Sequence, residues 1–134
     1  MTLVNKTIRP RRRRSVELPL HRSIYNFLLW KLPKDAAVHH SPNELDMAGE
    51  EAARQVAKAT SMGTEKGWPD LEIVWRGRIY FIEVKPEGKG LTGEQPQCHA
   101  KLTKAGAPVA ICHSIEEAEA ALIEWGMRPQ KKAA

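Results

Sequence analysis

The sequence predicts an α/β domain in which a small mixed central sheet is flanked by helices. Its 134 residues, 42% of them hydrophobic, are enough to bury one core and suit a single domain. Two β-rich runs around a short turn predict a hairpin, and a helical segment before a later apolar strand predicts a right-handed crossover. A hairpin followed by a crossover gives a mixed sheet covered by helices. The expected order is helix, strand, helix, strand, strand, helix, strand, helix.

Four segments have the spacing or composition of helices. Apolar residues recur every three or four positions in the first, for which Ser15 is the predicted N-cap and Pro19 is tolerated because it is close to the start. Capping-box sequences that begin at Thr92 and Ser114 open the third and fourth helices. The predicted helices cover residues 15–32, 46–61, 92–105 and 114–125.

Four shorter runs favour strands. Residues 71–75 and 79–85 are rich in β-formers and flank Arg76-Gly77-Arg78, which predicts a tight hairpin. Residues 109–112 predict a short apolar strand, and residues 36–40 a weaker one. The site prediction depends on the hairpin.

Positive charge is concentrated at the two ends of the chain. The formal net charge is +5, and the excess lies in RPRRRR, which contains Arg11, Arg12, Arg13 and Arg14, and in RPQKK. We therefore predict a flexible basic arm over residues 1–15, a folded domain over 16–126 and a basic tail over 127–134. The arm fits a solvated tail, a segment that contacts phosphates or a targeting patch.

The remaining composition predicts a soluble, cytoplasmic protein. Cys98 and Cys112 lack the spacing of metal ligands or of a disulfide framework, so both are expected to be reduced. The N-terminus lacks the apolar core of a secretory signal. No apolar run approaches the roughly 18–20 residues that cross a bilayer, so no membrane partner is expected.

Asp70, Glu83 and Lys85 are the residues that indicate chemistry. Any hairpin with a two- or three-residue turn through Gly77 places Asp70 opposite residue 83, 84 or 85. Glu83 and Lys85 share one face of their strand, and cross-strand neighbours have Cβ atoms about 4.5–5.5 Å apart. Two carboxylates and an ammonium group are therefore expected to converge in one small volume.

Such a cluster has two interpretations. Two close carboxylates raise one another's pKa unless a cation lies between them, and Mg²⁺ suits this position because it takes oxygen ligands, keeps waters and bridges to phosphate. Such a site hydrolyses phosphodiesters: the metal lowers the pKa of bound water, while Lys85 orients that water or stabilises the pentavalent phosphate. The alternative is a cross-strand salt bridge with Lys85, without catalysis.

The same residues carry a family resemblance. Pro69-Asp70 followed by Glu83-Val84-Lys85 resembles the signature of the PD-(D/E)xK nuclease superfamily. The stretches GWPDLEI, FIEVKPEGKGLTGEQ and KAGAPVAICHSIEEAEAAL are similar to its VRR-NUC subfamily. The resemblance covers about residues 15–125. It implies a restriction-endonuclease-like core of the αβββαβ type.

This resemblance implies roles for individual residues. Asp70 and Glu83 are the expected ligands of Mg²⁺, for which Mn²⁺ is expected to substitute, with the backbone carbonyl of Val84 as a possible third ligand. Lys85 is the expected catalytic lysine. Glu17 is expected to complete the metal site or to hold a metal-bound water; the alternative is a first-turn acid that favours the helix dipole.

Other matching positions are less specific. Gln95 matches the family glutamine that points toward the active site, although it also fits the N3 position of a capping box. His40 lies where many relatives have a histidine or another polar group, and a solvated loop histidine is the alternative. At His21 the family often has glutamine, so no role is carried over. The neighbours His39 and His40 point to opposite faces of a strand, which argues against a shared zinc.

The resemblance also implies a substrate and an assembly. DNA is the expected partner, with branched DNA such as Holliday junctions or flaps a frequent target in replication, recombination or repair, and standalone domains of this kind resemble homodimeric resolvases. The basic arm, Lys101, Lys104 and Arg54 are candidate phosphate contacts. Trp75 is expected to pack, and Trp68 either to pack or to stack on a base. The alternative function is a nucleic-acid-binding module that keeps the fold without catalysis.

Overall fold

Helices and strands follow one another along the chain in the predicted order. The structure is a computed structural model, and it describes residues 11–41 and 49–128. The helices are α1 Arg11–Lys31, α2 Gly49–Ser61, α3 Gln95–Lys104 and α4 Ile115–Glu124, and the strands are β1 Ala37–His40, β2 Leu71–Trp75, β3 Arg78–Val84 and β4 Val109–Cys112. Within the described ranges, no helix has both the length and the apolar composition needed to cross a membrane.

Helix α1 begins earlier than predicted. Its first residue is Arg11, so Arg11–Arg14 are helical and Ser15, the predicted N-cap, lies inside the helix. Arginine is a good helix former, which explains the extension toward the N-terminus. Pro19 consequently lies in the helix interior, where it removes one backbone hydrogen bond. Three predicted segments lie outside the described residues: residues 1–10 of the arm, the start of the second helix at residue 46, and residues 129–134 of the tail.

The four strands form the predicted mixed sheet, in which their order is β1-β2-β3-β4. β2 is antiparallel to both β1 and β3, whereas β3 and β4 are parallel and are connected through α3. The β2–β3 turn consists of Arg76 and Gly77, whose φ angles of 48° and 78° are typical of a type I′ turn. Arg78, predicted to lie in the turn, is the first residue of β3 and pairs with Trp75 because the turn has only two residues.

The two faces of β3 pack in two different hydrophobic clusters. Even-numbered residues from Tyr80 to Val84 lie in the larger cluster, which includes side chains of α1 and α4. Phe81 points to the other face and packs in a smaller cluster with α3. Because side chains alternate along a strand, Glu83 and Lys85 share the α3 face with Phe81. The sheet therefore presents Glu83 and Lys85 on the face that α3 covers.

Each predicted capping box forms in part: Ser114 is the N-cap of α4, but the Glu117 carboxylate accepts the N–H of His113, the residue before it. The Ser114 hydroxyl accepts the backbone N–H of Glu117 at 3.1 Å. Helix α3 begins at Gln95, whose side-chain oxygen accepts the Thr92 N–H at 2.9 Å, but Thr92 is not its N-cap. Beyond α4, Met127 is fully buried in the larger cluster, so the core includes the first residue of the predicted tail.

Candidate active site

Asp70 and Glu83 meet at the end of the β2–β3 hairpin. Leu71 pairs with Ile82, so continuing this register by one residue puts Asp70 opposite Glu83. The backbone N–H of Val84 donates a 2.8 Å hydrogen bond to Oδ2 of Asp70. The hairpin therefore brings the two carboxyl groups together, within the range of pairings expected from the sequence.

Pro69 ends the β2–β3 hydrogen-bond ladder at this point. The same register puts Pro69 opposite Val84. The backbone groups of Phe81 and Lys85 point toward β4. Because these groups alternate in direction along a strand, the N–H and carbonyl of Val84 point toward β2. A proline has no N–H and cannot donate to the Val84 carbonyl. The Val84 carbonyl, which is expected to bind a metal, therefore accepts no ladder hydrogen bond from residue 69. This leaves the carbonyl oxygen suited to be a metal ligand.

Burial makes the carboxyl pair unfavourable in its fully ionised form. Burial, and then the neighbouring Glu83, raise the pKa of Asp70 to about 8, although the Val84 N–H partly opposes this. Burial also raises the pKa of Glu83, which is only 2% exposed, while Asp70 and Lys85 act in the opposite direction. Lys85 is buried beside them, with 8% of its surface exposed. A cation between the carboxyl groups would relieve their repulsion.

His99 contacts Glu83 and was missed by the sequence prediction. Its Nε2 lies 2.9 Å from Oε1 of Glu83, and both side chains are buried. His99 lies one helical turn after Gln95 on α3, so the helical spacing from a candidate residue was the available signal. The contact adds a neutral or cationic hydrogen-bond donor to the carboxyl pair.

His113 fixes the chain where it leaves β3. Its Nδ1 lies 3.1 Å from the carbonyl oxygens of both Lys85 and Pro86, to which a protonated Nδ1 donates. The backbone N–H of Lys85 donates to the Cys112 carbonyl at 3.1 Å. The backbone that carries the expected catalytic lysine is therefore held by β4 and by the residue that follows it.

A cavity of about 300 Å³ opens beside Asp70, between α1 and the end of β1. Glu17 and His40, both candidates from the sequence, line it together with His21, for which no role was carried over. The rings of His21 and His40 meet edge to face with centroids 4.5 Å apart, and Nδ1 of His40 lies 3.3 Å from the Asp70 carbonyl oxygen. Its other lining residues are Leu18, Arg22, Tyr25 and Ser41.

A smaller cavity of about 150 Å³ lies near Lys85. Glu17 lines this cavity as well, so the residue borders both openings; Lys89 and Thr92 are also among the lining residues. Gln95 is close in sequence, but its side-chain oxygen accepts the Thr92 N–H. This contact corresponds to the capping interpretation of Gln95.

Both tryptophans near the hairpin have packing and hydrogen-bonding partners. The Trp68 indole donates to Glu72 at 2.6 Å and meets Phe81 edge to face with centroids 5.4 Å apart. The Trp75 indole donates to Asp35 at 2.9 Å, and its ring packs against the larger cluster. These contacts agree with the packing interpretation of both residues.

Three of the candidate DNA contacts, Lys101, Lys104 and Arg54, are exposed. Lys101 forms an ion pair with Glu65, and Lys104 is exposed at the end of α3. Arg54 is exposed on α2. The backbone of Arg11–Arg14 belongs to α1, and their side chains lie outside the described part of the structure.

The donor set suits a hard divalent cation. Among the described residues, no three or more His, Cys, Asp and Glu side chains form a group that could hold a metal. Two carboxylates and one carbonyl would therefore leave several positions to water, an arrangement that Mg²⁺ accepts because it dehydrates reluctantly. The oxygen donors present fit Mg²⁺ or Mn²⁺ better than zinc, which prefers nitrogen and sulfur.

Comparison with known proteins identifies the family. The sequence model of the VRR-NUC domain family matches residues 6–116. A solved structure described as a VRR_NUC domain protein has a TM-score of 0.63 at 24% identity, over 85% of this chain and 91% of its own. A second, described as a VRR_NUC domain, has a TM-score of 0.50 at 24% identity, over 81% and 94%. Among curated proteins, no relative matches. These solved structures share the mixed α/β fold, and the match to the family model establishes that the chain belongs to the VRR-NUC domain family of PD-(D/E)xK-like nucleases.

Proposed function

We propose that this chain is a Mg²⁺-dependent, structure-specific DNA endonuclease that hydrolyses phosphodiester bonds in branched DNA such as Holliday junctions or flaps. The observation that supports it most is the pairing of half-buried Asp70 with buried Glu83, with Lys85 on the same face of β3 as Glu83. Buried carboxylates without a cation are costly, so a site that gathers two of them needs a compensating charge. Membership of a nuclease family supports DNA as the substrate.

Each of these residues has a distinct role in the proposed reaction. Asp70, Glu83 and the Val84 carbonyl hold the cation, with Glu17 as a further ligand or as the acceptor of a water. Mg²⁺, when bound, lowers the pKa of water and neutralises charge that develops on the phosphate. Lys85 donates to a phosphate oxygen or orients the attacking water. His99 keeps the Glu83 carboxylate in place through its hydrogen bond.

A homodimer is the assembly that suits a junction substrate. Two copies related by a two-fold axis would present two equivalent sites to two symmetric strands. In this arrangement each copy cuts one strand. Basic residues outside the site, including Lys104, would contact phosphates and make binding weaker as salt increases.

The deciding experiment is cleavage of end-labelled four-way junction, flap and matched linear duplex in Mg²⁺ or Mn²⁺. Asp70→Asn and Lys85→Ala are expected to abolish cutting. Glu119→Gln and Lys58→Ala are matched controls, because both lie exposed on helices away from the hairpin. A wild type that binds these DNAs but cuts none in either metal would contradict the proposal and favour a binding module.

A further inference from the structure

The cavity beside Asp70 borders the carboxyl pair through that residue. Glu17 and Asp70 lie on its wall, and the remaining wall is supplied by α1 and by the end of β1. A DNA strand whose phosphate is cut at Asp70 and Glu83 must place the neighbouring nucleotide within a few ångströms of that wall. Of the two cavities that Glu17 borders, this one has about 300 Å³ and the one near Lys85 about 150 Å³, so this cavity has the more room for a nucleotide that flanks the cut.

The lining of the cavity suits a flat heteroaromatic group. His21, His40 and Tyr25 contribute rings, and Leu18 contributes apolar surface. Tyr25 also packs against the larger hydrophobic cluster, so its ring is held in place. A volume of about 300 Å³ is at the lower end of the range of about 300–1000 Å³ seen for small-molecule sites, which is appropriate for a single nucleoside.

Charge around the cavity is arranged for one nucleotide of a strand. Arg22 is exposed at the α1 side and can contact a backbone phosphate. Asp70 and Glu17 also line the cavity, and they carry negative charge when they are ionised. A cation bound at the carboxyl pair would neutralise that charge. Trp68, the other candidate for base stacking, is already engaged by Glu72 and Phe81.

We propose that this cavity binds one unpaired nucleobase of the DNA strand, adjacent to the phosphate that is cut. The inference rests on the proposed nuclease function and specifies its substrate as DNA with an unpaired nucleotide at the cut. A base inside a duplex can enter such a cavity only after it is unpaired and unstacked, at a free-energy cost that a base at a flap or a junction largely avoids. Stacking on protein rings is tolerant of sequence, so the site selects structure and not a particular base.

Leu18→Trp is the variant that tests the cavity. It fills the space without removing a core side chain, because Leu18 is half-buried on the cavity wall. Leu29→Trp is the matched control: it makes the same change on the same helix at a position that is 58% exposed. Cleavage of flap, junction and fully paired duplex is compared for both variants and wild type, after thermal unfolding has shown that each is folded.

For Leu18→Trp, kcat/KM on DNA with an unpaired nucleotide at the cut is expected to fall about tenfold or more, since each stacked base contributes about that much to binding. Leu29→Trp is expected to remain within about twofold of wild type, as surface substitutions usually have small effects. If wild type, Leu18→Trp and Leu29→Trp all have the same preference for unpaired DNA over fully paired duplex, the inference is overturned. The nuclease proposal would remain intact. Absence of cleavage by wild type would contradict the nuclease proposal itself.

A binding measurement gives a second readout that does not depend on cutting. Once the cut position is mapped, 2-aminopurine is placed at each nucleotide around it and its fluorescence is followed on binding to Glu83→Gln. A change is expected at the single nucleotide next to the cut, and its loss is expected when Leu18→Trp is added. No change at any position, or a change that persists with Leu18→Trp, would overturn the inference.

Discussion

Nε2 of His99 lies 2.9 Å from Oε1 of Glu83, with 8% and 2% of the two side chains exposed. An ionised carboxylate only accepts hydrogen bonds, so His99 donates through its Nε2–H. Burial lowers the pKa of His99, which favours the neutral ring as the donor. Helix α3 is thereby joined to the strand that carries Glu83 and Lys85, and its packing helps to hold the carboxylate.

His99→Ala is expected to lower the free energy of unfolding by about 1–3 kcal/mol, because it removes the partner of a buried carboxylate. Urea unfolding of His99→Ala, Glu83→Gln and the double variant measures the coupling between the two side chains. His99→Gln keeps an N–H donor and is expected to recover part of the loss. Effects of the two single changes that add to within about 0.5 kcal/mol would show that the contact contributes nothing.

The stability of the metal-free protein is expected to fall as the pH rises from about 4 to about 8. Burial and Glu83 raise the pKa of Asp70 from 3.8 to about 8, so between these values the folded chain holds a proton that the unfolded chain has lost. The stability linked to that proton is fully present below the unfolded pKa and is lost as the pH rises through the folded pKa. Each pKa unit corresponds to about 1.4 kcal/mol, so the loss is on the order of a few kcal/mol.

Unfolding in a chelator across this pH range measures the effect. Asp70→Asn cannot ionise, so its stability is expected to change less with pH and to exceed that of wild type near pH 8. Because the other titrating groups are shared, the difference between the two profiles isolates Asp70. Superimposable profiles would contradict a raised pKa at this position.

Mg²⁺ or Mn²⁺ is expected to raise the Tm of wild type, and more so at pH 8 than at pH 6, because the cation binds the ionised carboxyl pair. A ligand present at 100 times its Kd adds about 2.7 kcal/mol to the free energy of unfolding. Asp70→Asn and Glu83→Gln are expected to lose most of the shift, whereas Glu119→Gln on α4 keeps it. The same shift in all four proteins would place the bound cation elsewhere.

Gly67→Ala is expected to be more destabilising than Gly77→Ala. Both glycines have positive φ, +81° and +78°, so both substitutions incur backbone strain of about 1–2 kcal/mol. A Cβ at Gly67 would also lie 2.7 Å from the backbone carbonyl of Glu94, whereas a Cβ at Gly77 meets nothing within 4 Å. The additional loss is expected to be about 1–3 kcal/mol by urea unfolding, as for other overpacked sites. Equal losses would show that the start of α3 moves freely away from Gly67.

Local pairing explains which part of the site the sequence could predict. A short turn limits the pairing of the two strands that it joins, so Asp70 and Glu83 could be placed together from turn length alone. His99 could not be placed with them, because its contact depends on how closely α3 packs on β3. The same holds for His21 and His40, which meet only where α1 packs beside the end of β1. Their contacts are non-local and leave no pattern in the sequence.

The start of α1 shows a different limit of prediction from sequence, which concerns where a helix begins. Ser15 is a good N-cap, but the arginines that precede it are also good helix formers, and the helix continues through them. Propensity predicted that a helix is present here more reliably than it predicted where the helix begins. The mixed sheet could be predicted because a hairpin and a crossover leave few ways to arrange four strands.

The two-residue turn at Arg76 and Gly77 controls a site at the other end of its hairpin. Asp70 and Glu83 each lie six residues from it, a distance of about 20 Å along the strands. One residue inserted or deleted in this exposed turn would set Asp70 opposite the wrong neighbour or rotate Glu83 and Lys85 toward the opposite face. A change in loop length would then separate the candidate site residues while every one of them stayed in the sequence. An insertion or deletion in this turn is therefore expected to disrupt the carboxyl pair as much as a substitution of Asp70 or Glu83 itself.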